Sequence, residues 1–62
     1  MIGNMYERQY WKNYNITTCY LIILDFDGYF LKMYDFTNKF EFRWRLEDLK
    51  IELENSLIKE LG

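Results

Sequence analysis

Few side chains in this sequence can do covalent or proton-transfer chemistry. It has no histidine, a single cysteine and only three glycines, at positions 3, 28 and 62, which leaves neither a zinc ligand set nor a glycine-rich phosphate loop. Asp25 and Asp27 stand two residues apart, the kind of carboxylate pair that acid–base catalysis uses. They also flank Gly28, and a tight turn favours Asp and Gly for backbone reasons alone. Cys19 opens the apolar run "CYLIIL", residues 19–24, where a thiol packs rather than attacks. These residues predict no enzymatic activity, no metal and no cofactor.

The remaining chemistry is recognition. Aromatic side chains make up 21% of the chain, and they concentrate in "TNKFEFRWR", residues 37–45, where Phe40, Phe42 and Trp44 alternate with Glu41, Arg43 and Arg45. Lys32, Lys39, Arg43 and Arg45 interleaved with Tyr34, Phe40, Phe42 and Trp44 are a mixture that stacks bases and neutralises phosphates, so single-stranded nucleic acid is one candidate ligand. The net charge of −2 opposes it, because nucleic-acid binders carry a basic surface. The charge is also uneven: residues 1–45 hold six basic side chains against five acidic, residues 46–62 two against five. An acidic end beside an aromatic cluster suits a basic site on another protein, with carboxylates standing where phosphates would.

These residues must be positioned by a very small fold. A chain of 62 residues forms one domain and buries only roughly 60% of its unfolded surface. With one cysteine there is no internal disulfide, so packing and self-association are the stabilising routes left. No apolar run approaches the roughly 20 residues of a membrane span. Glu7, Arg8 and Lys12 interrupt the N-terminus where a signal peptide would be apolar, so a reducing cytoplasm, a host cell's included, is the expected compartment. Residues 1–13 carry Tyr6 and Tyr10 at spacing four, continued by Tyr14, and are expected as an arm or a short helix; residues 14–62 form the single domain.

Within that domain, "NITTCYLIILDF" and "YFLKMYDF" flank Asp27-Gly28, which suits a two-residue type I′ turn. Such a turn places Phe26 opposite Tyr29, Leu24 opposite Leu31 and Ile22 opposite Met33, one apolar core face. Leu21, Ile23 and Phe36 fall on the other face, more apolar than a solvated face requires. After the hairpin two readings stand. In one, residues 39–45 are a third meander strand and residues 46–61 a terminal helix with Leu46, Leu49, Leu53, Leu57 and Leu61 as its stripe. In the other, residues 38–47 are a short helix, supported by an Asn38/Glu41 capping box and by Glu41–Arg45 and Arg43–Glu47 pairs, and Leu49, Ile51 and Leu53 point inward from a strand.

The order Asp25-x-Asp27-Gly28, Tyr34, Asn38-x-Phe40-Glu41-x-x-Trp44 and then alternating Leu49-Lys50-Ile51-Glu52-Leu53 resembles the small dimeric uracil-DNA glycosylase inhibitors of protein-primed Bacillus phages, over roughly residues 13–55. The resemblance implies the second reading, an α+β fold of ββαβ order with two protomers joined through the sheet. It implies a DNA mimic whose dimer groove captures the apolar side chain that the glycosylase wedges into DNA. Phe40, Glu41 and Trp44 would carry that contact, with Tyr34, Glu47 and Asp48 alongside, and Leu21, Ile23, Phe36, Leu49, Ile51 and Leu53 would form the dimer interface. Lys32 and Met33 stand where the family's second strand offers an acid.

Overall fold

The computed structural model describes residues 2–62. Five antiparallel strands and one helix follow in the order β1 (Met5–Lys12), β2 (Asn15–Phe26), β3 (Phe30–Asp35), β4 (Phe40–Arg45), α1 (Leu46–Glu54) and β5 (Ile58–Glu60). The strands lie side by side as β4-β3-β2-β1-β5. The first four are therefore a meander, and α1 carries the chain back across one face so that β5 can pair with β1. The class is α+β, as expected; the ββαβ order does not form, and the meander-plus-helix reading holds only in part, since the meander has four strands and the helix expected over 46–61 ends at Glu54 and is followed by β5.

Both halves of the ββαβ reading are overturned. Residues 40–45 are a strand, and residues 46–54, including Leu49, Ile51 and Leu53, are a helix. The capping box does not form. Asn38 lies in the β3–β4 turn, donating through its backbone N–H (2.9 Å) and its side-chain Nδ2 (2.9 Å) to the Asp35 carboxylate. Glu41 instead meets Lys32 across the strands, at 3.5 Å. The physical reason is scale: a cap and two helical ion pairs are worth tenths of a kcal/mol to roughly one each, whereas period-two alternation lays three aromatics along one sheet face.

Residues 5–12, expected as an arm or short helix, are β1. Spacing four puts Tyr6 and Tyr10 on one side of a strand as surely as on one side of a helix, so that signal does not discriminate. The two-residue turn also sits elsewhere than expected. Lys12 pairs with Asn15 across Asn13 (φ 52°) and Tyr14 (φ 64°), the positive values of a type I′ turn. At Asp27 the loop is wider. The Asp27 carboxylate accepts the backbone N–H of Tyr29 (2.9 Å) and of Phe30 (2.7 Å), and Phe26 pairs with Leu31.

A bulge between Ile23 and Asp25 completes the change of register. It returns Phe26 to the face that Leu21 and Ile23 occupy and leaves Leu24 outside. On β2 the core face is thus the one expected to be outer, Cys19, Leu21 and Ile23, while Leu31 and Met33 of β3 are buried as expected; Tyr6, Ile58 and Leu49 of α1 close over them. Leu24 and Tyr29 are exposed. At the start of α1, Glu47 and Asp48 complement the positive end of the helix dipole, and the chain leaves the helix through Ser56 at φ 57°.

Candidate functional site

The helix that covers the inner face follows directly on β4 at Arg45 and leaves the Phe40 end of the β4 margin open. Along that margin Phe40, Phe42 and Trp44 stand in a row, with ring centres 5.6 and 5.9 Å apart. Phe40 is 49% exposed; Phe42 and Trp44 are half-buried and lean on the core. Tyr10 of β1 faces the row from across the sheet, its hydroxyl oxygen 3.5 Å from Asn38 Nδ2. Arg8 lies between the two sides. Its guanidinium is 5.1 Å from the Trp44 ring centre and 6.0 Å from that of Tyr10, and it donates to both Glu52 carboxylate oxygens, at 2.8 and 3.2 Å. The Glu52 hydrogen bonds hold Arg8 above its already high pKa, so the stacked cation is permanent.

Beneath this ledge the polar groups are fully used. Asp35 is buried, and its carboxylate accepts the backbone N–H groups of Thr37 and Asn38 as well as Asn38 Nδ2. Burial raises the Cys19 thiol above its usual range, and the nearby Asp35 charge adds to it, which keeps the sulfur protonated and unreactive near neutrality. Among the described residues no group of three or more histidine, cysteine or carboxylate side chains is placed to hold a metal ion.

The other side of β4 is charged. Arg43 lies 3.4 Å from Asp27 with its guanidinium 4.6 Å from the Phe30 ring centre, and Arg45 is 3.1 Å from Asp48. Backbone hydrogen bonds from Phe30 and Tyr29, helped by Arg43, lower the Asp27 pKa; the Arg45 hydrogen bond lowers that of Asp48. Asp25 is also on the surface, with its Oδ1 taken by the Phe26 N–H at 2.8 Å. Both aspartates of the Asp25/Asp27 pair are exposed, and each carboxylate is engaged by backbone N–H groups of the loop.

The residues expected to share one surface are divided. Phe40 and Trp44 are on the inner margin. Tyr34 and Glu41, cross-strand partners, face the opposite way, with Tyr34 stacked edge-on against Phe36 at 5.2 Å. Glu47 and Asp48 open α1, reached from Trp44 only around the Arg45 corner. The expected dimer interface is divided as well: Leu21 (1% exposed), Ile23 (0%) and Leu49 (3%) belong to the protomer's own core, while Phe36 is exposed in the β3–β4 turn and Ile51 and Leu53 are exposed on α1. What sequence reasoning missed is Arg8 and Tyr10. Tyr6, Arg8 and Tyr10 share one side of β1, but with a charge among them and Trp11 on the other side the sequence carries no clean alternation to announce it.

No family model, curated protein or solved structure matches this chain. Among the described residues, no helix is long and apolar enough to cross a membrane.

Proposed function

We propose that this protein is a binding module without chemistry of its own, which engages another protein through the ledge of Tyr10, Phe40, Phe42 and Trp44. One observation carries the reading: a row of aromatic rings, stiffened by a strand and by the Arg8–Glu52 pair, stays half open at Phe42 and Trp44 and exposed at Phe40. Rigid aromatics beside a fixed cation are the usual anchors of protein interfaces. The inhibitor role suggested by the motif order is the specific form of this reading to test first, with uracil-DNA glycosylase as the partner and the Phe40–Trp44 row as the surface that takes its intercalating side chain.

Single-stranded nucleic acid suits the ledge less well. Arg43 and Arg45 lie on the opposite side of β4 from the rings, and Arg8, Lys32, Arg43 and Arg45 each already face a carboxylate. Stacking and phosphate neutralisation would then need two faces at once. A uracil-excision assay at micromolar excess of the protein tests the specific form. Inhibition that disappears in Phe40→Ala, with the circular dichroism spectrum kept, is the expected result; undiminished excision rules out that partner.

A further inference from the structure

Past the rest of the sheet, β1 and β2 run on as a two-stranded finger. β5 pairs with β1 only as far as Arg8, and β3 pairs with β2 only from Leu21 onward. Gln9 N–H still donates to the Leu57 carbonyl at 3.1 Å and Phe36 N–H to the Tyr20 carbonyl at 2.9 Å. Beyond these two bonds the backbones of residues 10–19 pair only with one another, up to Lys12 opposite Asn15. A free two-stranded ribbon is marginal in water, and small polar residues suit its tip. Here Trp11 is 73% exposed, Tyr14 98% and Ile16 60%, within an unbroken exposed stretch from Trp11 to Ile16. Tyr14 is also held in a costly backbone state. The turn needs positive φ at both central residues, which Asn13 adopts readily and a bulky tyrosine at φ 64° does not. With its side chain almost fully solvated, no packing within the protomer offsets that strain.

We infer that this finger seats its tip in the headgroup layer of a lipid bilayer that carries anionic lipids. Tryptophan and tyrosine suit that layer, since each offers an apolar ring to the acyl side and a polar group to the wet side. Charge agrees with it. The chain has ten acidic residues, none of them between Gln9 and Leu24, and Lys12 stands at the tip with no ion pair among the described residues. Asp25, Asp27, Glu47 and Asp48 gather at the opposite end of the sheet, where the β2–β3 loop meets the start of α1. The turns at the base of the finger bring Lys39 on one side and Glu54 on the other, which leaves Lys12 to set the sign. A protein partner fits this tip less well. Side chains exposed all round have no rim to exclude water from an anchoring ring, whereas a headgroup layer surrounds them on every side. The attachment is shallow and reversible, of the kind that rests on a membrane without crossing it. It uses none of Phe40, Phe42 and Trp44, and so holds whatever the ledge binds.

Co-sedimentation of the full chain with vesicles tests this, using phosphatidylcholine alone or with about a third phosphatidylglycerol, at about 1 mM lipid. The chain is expected to pellet with the anionic vesicles. Lys12→Gln should weaken that binding about fivefold, and Trp11→Ser about tenfold or more. Tyr14→Gly separates docking from folding. Glycine relaxes the turn, so the thermal midpoint should hold or rise while vesicle binding falls about threefold or more. In a Trp44→Phe background the Trp11 emission should move to the blue with vesicles and be quenched by bromine-labelled lipid. Phe40→Ala should bind vesicles as the unmodified chain does. A chain that stays in the supernatant with anionic vesicles at several millimolar lipid overturns the inference. So does vesicle binding that survives both Trp11→Ser and Tyr14→Gly, or that Phe40→Ala removes to the same extent. Capture of single-stranded DNA in place of vesicles, abolished by Trp11→Ser, would assign the finger to nucleic acid and overturn it as well.

Discussion

Two parts of one sheet face were built by the same rule and met different fates. Under α1, alternating apolar residues of β2 and β3 form a closed core in which Ile23, Leu31 and Met33 are 0% exposed. On the β4 margin, alternating aromatics of comparable or greater size stay half open, and Phe40 is 49% exposed. Hydrophobicity does not separate the two regions; coverage does. α1 follows directly on β4 and crosses toward β5, so it lies over the Arg45 end of the β4 margin and leaves open the Phe40 end, five residues and about 17 Å back along the strand. The exposure of Phe40 is therefore a consequence of where the helix leaves the strand, and its availability to a partner follows from the same cause.

The sharpest way to break the comparison is to truncate a side chain on each side of it. Met33→Ala or Ile23→Ala should cost about 2–5 kcal/mol through lost burial and the cavity left behind. A domain this small holds a reserve of about 3–5 kcal/mol. Either variant is thus expected to be largely unfolded at 25 °C by near- and far-ultraviolet circular dichroism. Phe40→Ala should lose less than about 1 kcal/mol and melt as one transition. If Phe40→Ala unfolds the chain as Met33→Ala does, the margin is core and the ledge has no free surface to offer.

A smaller effect is expected where the two regions join. Arg8→Ala removes a two-pronged bond to Glu52 and the cation over Trp44, and leaves the partly buried carboxylate alone. The expected loss is about 2 kcal/mol in urea unfolding. In a Trp11→Phe background the remaining fluorescence reports Trp44, and its emission should shift as the indole loses its neighbour. An unchanged spectrum would mean that the stack is not populated in solution.

The weakest perturbation is acid. Asp27 and Asp48 have carboxyl groups held below the ordinary value of 3.8, so their contribution is complete above about pH 4 and is lost as the pH falls through their lower native values. The thermal midpoint should be flat from pH 7 to 5 and fall below pH 4. Asp27→Asn, which keeps an acceptor for Tyr29 and Phe30 but not the charge, should flatten part of that fall. Both carboxylates are solvated, so this change is expected to be smaller than either of the others.

Several features were legible in residue order: the α+β class, the strand character of residues 15–26 and 30–35, and the burial of Cys19. They follow from local chemistry, since β-branched and aromatic runs fit a pleat and a thiol in an apolar run packs as a small hydrophobe. The β4–α1 region was legible only as two alternatives. Period-two alternation and a capping box coexist in "NKFEFRWR", and neither is decisive until the energy of a shared sheet face is counted. Tyr6 and Tyr10 were ambiguous for a geometric reason, because positions i and i+4 coincide on a strand and on a helix.

By itself the sequence determined what could be built: strands of alternating character, a helix at one of two places after the hairpin, and an aromatic run beside it. Tertiary structure decided which face became core. The Asp27 loop and the bulge beside Leu24 shift the β2–β3 register, and one residue of shift exchanges the two faces of a strand. It also decided which aromatics remain exposed, since α1 leaves β4 at Arg45 and the Phe40 end of the strand lies away from it.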